Sequence, residues 1–140
     1  MSAQAQSAGD GIVTVVSRHS VAETADRLEM LIKAKQLTLF ARIDFAGDAQ
    51  RVGLAMQPAQ LLVFGNPRAG TPLIQAVPTA ALDLPLKVLV WEDAGHQVWL
   101  SYNSVDYLQR RHNAPDDLMK PLAGVPALVN AAAGDGRAEP

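Results

Sequence analysis

The clearest hydrophobic pattern along the chain predicts an amphipathic helix after residue 20. Apolar residues recur there at three- and four-residue spacing, which places them on one helical face. They are Val21, Ala25, Leu28, Leu31 and Ile32. Ser20 and Glu23 match a capping box, in which the hydroxyl and the carboxylate accept hydrogen bonds from free backbone N–H groups. We therefore expect a helix that is capped by Ser20 and packs its apolar face on a sheet.

Three segments around this helix predict strands. Ile12–Ser17 is short and rich in β-branched residues, and Leu37–Phe45 has an apolar residue at every odd position. That alternation predicts a strand with one buried face. Gln60–Phe64 does not alternate, which is typical of a central strand covered on both faces. Between the last two strands, the segment 47–53 predicts a turn.

A hairpin is predicted by Leu86–Glu92 and Gln97–Asn103, which flank Asp93-Ala94-Gly95-His96. The glycine would supply the positive φ of the turn. A three-residue loop with a bulge sets Trp91 opposite Trp99 on one face of the sheet. The other face would then carry the core residues Val88, Val90, Leu100 and Tyr102.

The remaining pattern predicts helices and completes the fold class. Pro72–Ala76 and Thr79–Leu82 indicate short helical turns beside prolines. A short helix should end near Arg111, and Leu118–Ala133 should be mostly helical. The order β-α-β-β-(α)-β-β-α predicts a single α+β domain, a four- or five-stranded antiparallel sheet with helices mainly on one face.

Composition and charge narrow the function classes. The chain has 140 residues, which suits one domain with a sound core. Twelve Lys and Arg against fourteen Asp and Glu give a net charge of -2, so no basic surplus favours nucleic-acid binding. Cysteine is absent, which excludes disulfides and thiolate metal ligands.

Small and polar residues at both ends predict two flexible tails around one domain. Residues 1–10 and 135–140 have little to bury, and the domain spans residues 11–134. The first ten residues lack the basic start and apolar core of a secretory signal. The sequence contains no run of about eighteen apolar residues, so it predicts no membrane span. We therefore expect a cytoplasmic protein with neither a membrane nor a nucleic-acid partner.

The stretch from Val63 to Pro72 predicts a strand, a tight loop and a helix start. Thr71 before Pro72 would cap the helix and leave backbone N–H groups facing outward, with Arg68 beside them. Such a corner can hold an anion, since the N–H groups and the helix dipole both favour negative charge. The simpler interpretation, in which the loop residues only shape a turn, explains the same pattern.

Three motifs carry a family resemblance. Residues 64–73, residues 84–93 and the pair Tyr102-Asn103 resemble the domain of unknown function 302 family over residues 11–134, nearly the whole chain. The resemblance implies a compact α+β domain with a four- or five-stranded antiparallel sheet, similar in layout to TBP-like folds, and it implies dimers. It brings no general activity. Many relatives have histidine where this chain has Phe45, so chemistry of that histidine would be absent here.

Charged residues on apolar strands are the candidate acid/base groups. Asp44, Lys87 and Glu92 could form a carboxylate and a positioning cation if a cleft brought them together. Such residues more often lie on a solvated sheet face or form ordinary ion pairs, and this interpretation is the favoured one. The three histidines lack metal-ligand spacing, so the sequence predicts neither a metal site nor a cofactor.

The function expected from the sequence is a homodimeric protein that binds a small ligand, with an anion as the candidate. The cleft would lie where the 66–71 loop meets the open sheet face. Its expected ligand-binding residues are Asp44, Asn66, Arg68, Gly70, Thr71, Lys87 and Tyr102. A small acid/base or hydrolytic enzyme is the first alternative, with Asp44 or Glu92 as base and Arg68 as anchor. A structural interaction module without a small ligand is the second. An enzyme is the less expected outcome, and no catalytic residue is assigned.

The two tryptophans predict the dimer interface. Trp91, Trp99 and Leu89 would expose a large apolar area on the second face of the sheet, and Phe40 on a neighbouring strand is a candidate to join them. Aromatic residues are enriched at the cores of subunit interfaces, which favours a second copy as the cover. Coverage by the C-terminal segment is the alternative.

Overall fold

One antiparallel sheet forms the centre of the molecule. The structure, a computed structural model, describes residues 6–7 and 10–134. The strands are β1 (Gln6–Ser7), β2 (Ile12–Ser17), β3 (Thr38–Asp44), β4 (Ala59–Gly65), β5 (Leu86–Glu92) and β6 (Val98–Asn103). They are ordered β1-β2-β6-β5-β4-β3. The predicted α+β domain with an antiparallel sheet is confirmed, and the two-residue β1 adds a sixth strand at one edge.

Helices lie between β2 and β3, between β3 and β4, between β4 and β5, and after β6. They are α1 (Val21–Ala34), α2 (Phe45–Arg51), α3 (Pro67–Ala76), α4 (Val105–His112), α5 (Asp116–Met119) and α6 (Val125–Ala133). Two 3₁₀ turns lie at Pro78–Leu82 and Lys120–Leu122. Within the described residues, no helix combines the length and apolar character that crossing a bilayer requires.

The helix expected after residue 20 is confirmed as α1. Ser20 is its N-cap, and its hydroxyl accepts the N–H of Glu23 at 3.1 Å. The buried side chains of α1 include Val21, Ala25, Leu28 and Ile32. They pack with α6 on the sheet face that carries Val88, Val90, Leu100 and Tyr102, as the hairpin pattern predicted.

The alternation of residues 37–45 predicted that the odd-numbered residues share one buried face, and this prediction was wrong. Leu39 lies opposite Phe64 while Ala41 lies opposite Val63, so the two residues point to opposite faces of the sheet. A bulge at Phe40 causes this switch, since it inserts one unpaired residue into β3. Phe40 is therefore 50% exposed and does not join the tryptophans across the sheet.

The region after β3 is a helix rather than the expected turn. The carboxylate of Asp44 accepts the N–H of Gly47 at 3.0 Å and caps α2. Phe45 begins this helix instead of ending the strand. A short polar side chain at the strand end therefore starts a helix, because it satisfies one of the free N–H groups of the first turn.

The hairpin between β5 and β6 has the predicted register. Trp91 lies opposite Trp99 and Val90 opposite Leu100. The expected role of the glycine was wrong, since His96 has the positive φ of 68°. Asp93 organises the turn: Oδ1 accepts the N–H groups of residues 95 and 97 at 2.9 Å each, and Oδ2 accepts the indole N–H of Trp99 at 2.9 Å. These bonds, led by that from Trp99, lower the pKa of Asp93.

The structure describes only a few residues of the two segments that were predicted to be flexible tails. Gln6–Ser7 pairs with β2 inside the segment expected as the N-terminal tail. The expectations for residues 1–5, 8–9 and 135–140 lie outside the described residues.

Candidate functional site

A largely apolar cavity of about 490 Å³ lies where the end of β4 and the start of α3 approach β3 and α6. Its apolar walls include Leu37, Phe40, Ile74, Leu84, Pro85, Leu86, Val125 and Leu128. Asn66, Gly70 and Thr71 of the predicted loop also line it. The sequence therefore located one wall of the cavity, and the apolar walls come from distant parts of the chain.

Phe40, Gly65 and Pro85 lie close together in the wall of this cavity. The bulge in β3 turns the ring of Phe40 toward the end of β4. A Cβ at Gly65 would stand 3.8 Å from Cε2 of Phe40 and 3.6 Å from Cβ of Pro85. Both distances are ordinary van der Waals contacts, so the side chains of Phe40 and Pro85 pack beside this residue.

The 66–71 loop begins its helix earlier than the sequence predicted. The N-cap is Asn66 rather than Thr71, and α3 starts at Pro67. The amide oxygen of Asn66 accepts the N–H of Arg68 at 3.0 Å. Its backbone oxygen accepts the N–H groups of residues 69 and 70 at 2.9 and 2.8 Å. Proline has no N–H to offer, so this helix start lacks the outward N–H groups that the predicted anion site required.

The other expected ligand residues do not line the cavity, and Lys87 and Tyr102 lie on opposite faces of the sheet. Arg68 is exposed on the first turn of α3. Lys87 donates from Nζ to the backbone oxygen of Pro85 at 3.0 Å. Tyr102 is only 7% exposed and lies in the core, where burial raises its pKa. The expected cleft bordered by Asp44, Lys87 and Tyr102 is therefore not formed.

The two candidate bases do share a second, polar depression. Asp44 and Glu92 line a pocket of about 400 Å³ beside the start of α1. Asp44 already caps α2. Glu92 Oε2 accepts from Nε2 of Gln57 at 2.8 Å and lies 2.8 Å from Nδ1 of His96. Arg68, the expected anchor, is not among the residues that line this pocket. Both carboxylates therefore have structural partners.

Arg42 joins the edge of the sheet to α1. It lies opposite Leu62 and so faces the helix side of the sheet. Its guanidinium is 2.9 Å from Asp26 and 2.9 Å from Glu29. The pKa of Glu29 is lowered by hydrogen bonds from Lys33 and then from Arg42. This network explains the charge on β3 as structural rather than catalytic.

A histidine bridge that the sequence did not predict lies between a 3₁₀ turn and α4. Nε2 of His112 is 2.6 Å from a carboxylate oxygen of Asp83, and its Nδ1 is 2.9 Å from the hydroxyl of Thr79. Arg111 binds the same carboxylate at 3.0 Å. The adjoining cavity is about 10 Å³, which is scarcely one water molecule, so no substrate fits there. Among the described residues, no group of three or more His, Asp or Glu could hold a metal.

The sheet face opposite α1 and α6, which we call the open face, presents apolar side chains in rows. Register places Ala59, Trp91, Trp99 and Val16 in one row. The next row contains Ile43, Leu61, Leu89, Ser101 and Thr14. Apart from the buried Ala59, these residues are partly exposed, unlike the buried residues of the other face.

The polar atoms of the open face are bonded within the chain. Nε1 of Trp91 donates to the hydroxyl of Ser101 at 2.9 Å, and that hydroxyl is 2.9 Å from the hydroxyl of Thr14. Trp99 donates to Asp93. The two indole rings stack with centroids 6.4 Å apart and planes inclined by 29°. Because these donors are satisfied, burying the face against an apolar surface leaves no indole N–H without a partner.

The fold and the cavity define a class of protein: a small α+β domain with helices on one face of an antiparallel sheet and an apolar pocket at one end. The chain belongs to the family described as "Domain of unknown function DUF302", whose profile matches residues 13–129. Its fold is that of an uncharacterized conserved DUF302 protein from Bacillus stearothermophilus, with a TM-score of 0.72 and 20% identity. That match covers 89% of this chain and 97% of the other.

Curated relatives are found in Brucella. The chain is 41% identical over 129 residues to a protein of Brucella suis named fluoride-specific ion channel FluC 1, covering 89% of this chain and 51% of the relative. Proteins of Brucella abortus and Brucella melitensis, named fluoride-specific ion channels FluC 1 and FluC 2, match with the same identity over 48% of their length. The chain thus spans about half the length of these relatives.

Proposed function

We propose that this domain binds a small, largely apolar molecule in the cavity beside the 66–71 loop. The observation that carries the proposal is the cavity itself, whose 490 Å³ falls within the range of ligand pockets, about 300–1,000 Å³. Its walls are mainly aliphatic and aromatic, with a few polar groups from Asn66 and Thr71. This composition is typical of sites in which apolar contact supplies affinity and a few polar groups orient the ligand.

The ligand proposed here differs from the small anion that the loop sequence indicated. A small anion needs free donors, and the first N–H groups of α3 are bonded to Asn66. An acid/base reaction at Asp44 or Glu92 is less favoured than binding, because both carboxylates hold other residues in place. The cytoplasmic location remains a prediction.

Binding in the cavity can be tested with the neutral fluorescent probe N-phenyl-1-naphthylamine. We expect saturable fluorescence enhancement with the parent protein. Ala127→Trp should weaken binding about tenfold or more, because the indole would occupy the cavity that Ala127 lines. Ala127 is exposed, so the larger side chain should not disturb the core.

The matched control for this titration is Ala123→Trp. Ala123 is also exposed and lies just before α6, outside the residues that line the cavity. Its variant should bind the probe like the parent. Trp91→Ala should do the same, which separates the cavity from the open face. Equal binding by the Ala127 and Ala123 variants would contradict the proposed site.

We further propose that two copies associate through the open face. The rows around Trp91 and Trp99 combine partly exposed apolar side chains with polar atoms that are already bonded within the chain. A two-fold axis would place the same patch on both copies, which suits a self-complementary apolar surface. Aromatic residues favour such interface cores.

A second candidate function comes from the Brucella relatives. The chain matches about half the length of proteins that are named fluoride-specific ion channels. We therefore propose that this domain helps its source organism to tolerate fluoride. The proposal is supported by the 41% identity to these relatives and by the name that the three relatives share. This support does not depend on the cavity.

The fluoride role is tested by deleting the gene in its source organism. The deletion strain should become more sensitive to fluoride but not to chloride, and expressing this chain should restore growth. A deletion strain with the parent's fluoride sensitivity would remove this candidate without affecting the ligand proposal.

A further inference from the structure

The cavity beside the 66–71 loop carries one charged group. Of the lining residues in the part of the chain that the structure describes, Lys35 alone has an ionised side chain, and Asn66 and Thr71 are polar but neutral. None of the described residues that line this cavity is aspartate or glutamate. The charge that these residues offer to a ligand is therefore that of the exposed Lys35 side chain, at the border of an apolar wall.

Lys35 lies at the end of α1, in the short connection between α1 and β3. It is the C-cap residue, and the next residue, Gln36, has a positive φ of 61°. Leu37 follows and lines the cavity as well. In the part of the chain that the structure describes, no carboxylate lies within salt-bridge distance of the Lys35 ammonium, whereas Lys33 in the same turn binds Glu29 at 2.8 Å. The Lys35 ammonium is thus available to a ligand.

The apolar walls of the cavity favour a ligand with a hydrocarbon body over a small inorganic ion. Phe40, Ile74, Pro85 and Leu128 offer hydrocarbon and aromatic surface, and a small inorganic anion would leave these walls without contact. A hydrocarbon body gains free energy from leaving water for such walls, in proportion to the apolar area buried. An anionic end is favoured by the positive charge of Lys35.

We propose that the ligand is an amphiphilic carboxylate, with its hydrocarbon body in the cavity and its carboxylate at the Lys35 ammonium. This inference rests on the proposed function, since it names the ligand class of the same site. Apolar contact supplies most of the affinity, and the ion pair distinguishes the acid from neutral or cationic molecules with the same chain.

Calorimetric titration with three ten-carbon probes tests the inference at neutral pH: decanoate, decan-1-ol and decylammonium. Decanoate should bind about fivefold more tightly than the alcohol, the size expected for a partly solvated ion pair. Decylammonium should bind more weakly than either. Lys35→Gln should remove the preference for decanoate while binding of the alcohol stays unchanged.

Lys33→Gln is the matched control, because it removes the same charge from the same helix end without altering the cavity. It should retain the preference for decanoate. If the alcohol binds as tightly as decanoate, or if both lysine variants lose the preference equally, the ligand class is wrong and the cavity proposal survives. If none of the three probes binds, the proposed function itself fails.

Discussion

Replacing Leu28 with alanine should lower the free energy of unfolding by about 3 kcal/mol. Leu28 is fully buried at the centre of α1, where it packs with α6 and the sheet. The substitution removes apolar contact and leaves a cavity that the surrounding side chains fill only in part. Small domains have a total stability of about 5–15 kcal/mol, so this loss would be a large part of the whole.

Urea unfolding followed by circular dichroism measures this effect. Met30→Ala is the matched control, because Met30 lies on the same helix but is 67% exposed. Its free energy of unfolding should change by about 0.5 kcal/mol or less. Equal losses in the two variants would mean that α1 does not present Leu28 to the core, and the packing of the helix on the sheet would have to be revised.

The second large effect concerns self-association through the open face. Sedimentation equilibrium should show a dimer for the parent protein. Trp91→Ala and Trp99→Ala should each raise the dissociation constant about thirtyfold or more, as truncation of a central aromatic side chain does in other interfaces. Both rings stack on the same row of the face, so both variants should act in the same direction.

Leu82→Ala provides the control for this measurement. Leu82 is 71% exposed on a 3₁₀ turn, away from the strands that form the open face. Its variant should remain a dimer with the parent's dissociation constant. Circular dichroism of each tryptophan variant would show that the fold is retained. A monomeric parent, or tryptophan variants with unchanged dimers, would refute the interface.

Some of this structure could be predicted because the signals are local. The cap and the spacing of apolar residues predicted α1, since helix periodicity and the hydrogen bond of Ser20 involve neighbours along the chain. The length of the turn after Asp93 predicted the register of the hairpin, because two strands joined by a short loop have few ways to pair. The family motifs predicted the sheet as a whole.

Near the candidate site, local signals competed and some predictions were wrong. Alternation in residues 37–45 could not reveal the bulge at Phe40, because a bulge is a mismatch with the partner strand β4. Asn66 and Thr71 are both good N-caps, and the structure selects Asn66. The side chain of Asn66 then satisfies an N–H group that the anion site needed.

The sequence by itself determined where α1 begins, how the hairpin of β5 and β6 pairs, and that a helix begins at the 66–71 loop. Phe40, Pro85 and Leu128 are far apart in the chain. Only the tertiary structure decided that they line one cavity together with Lys35. It also separated Asp44, Lys87 and Tyr102, which sequence reasoning had grouped. The physical reason is that a ligand cavity is the space between elements, so its position depends on how the whole sheet and its helices pack.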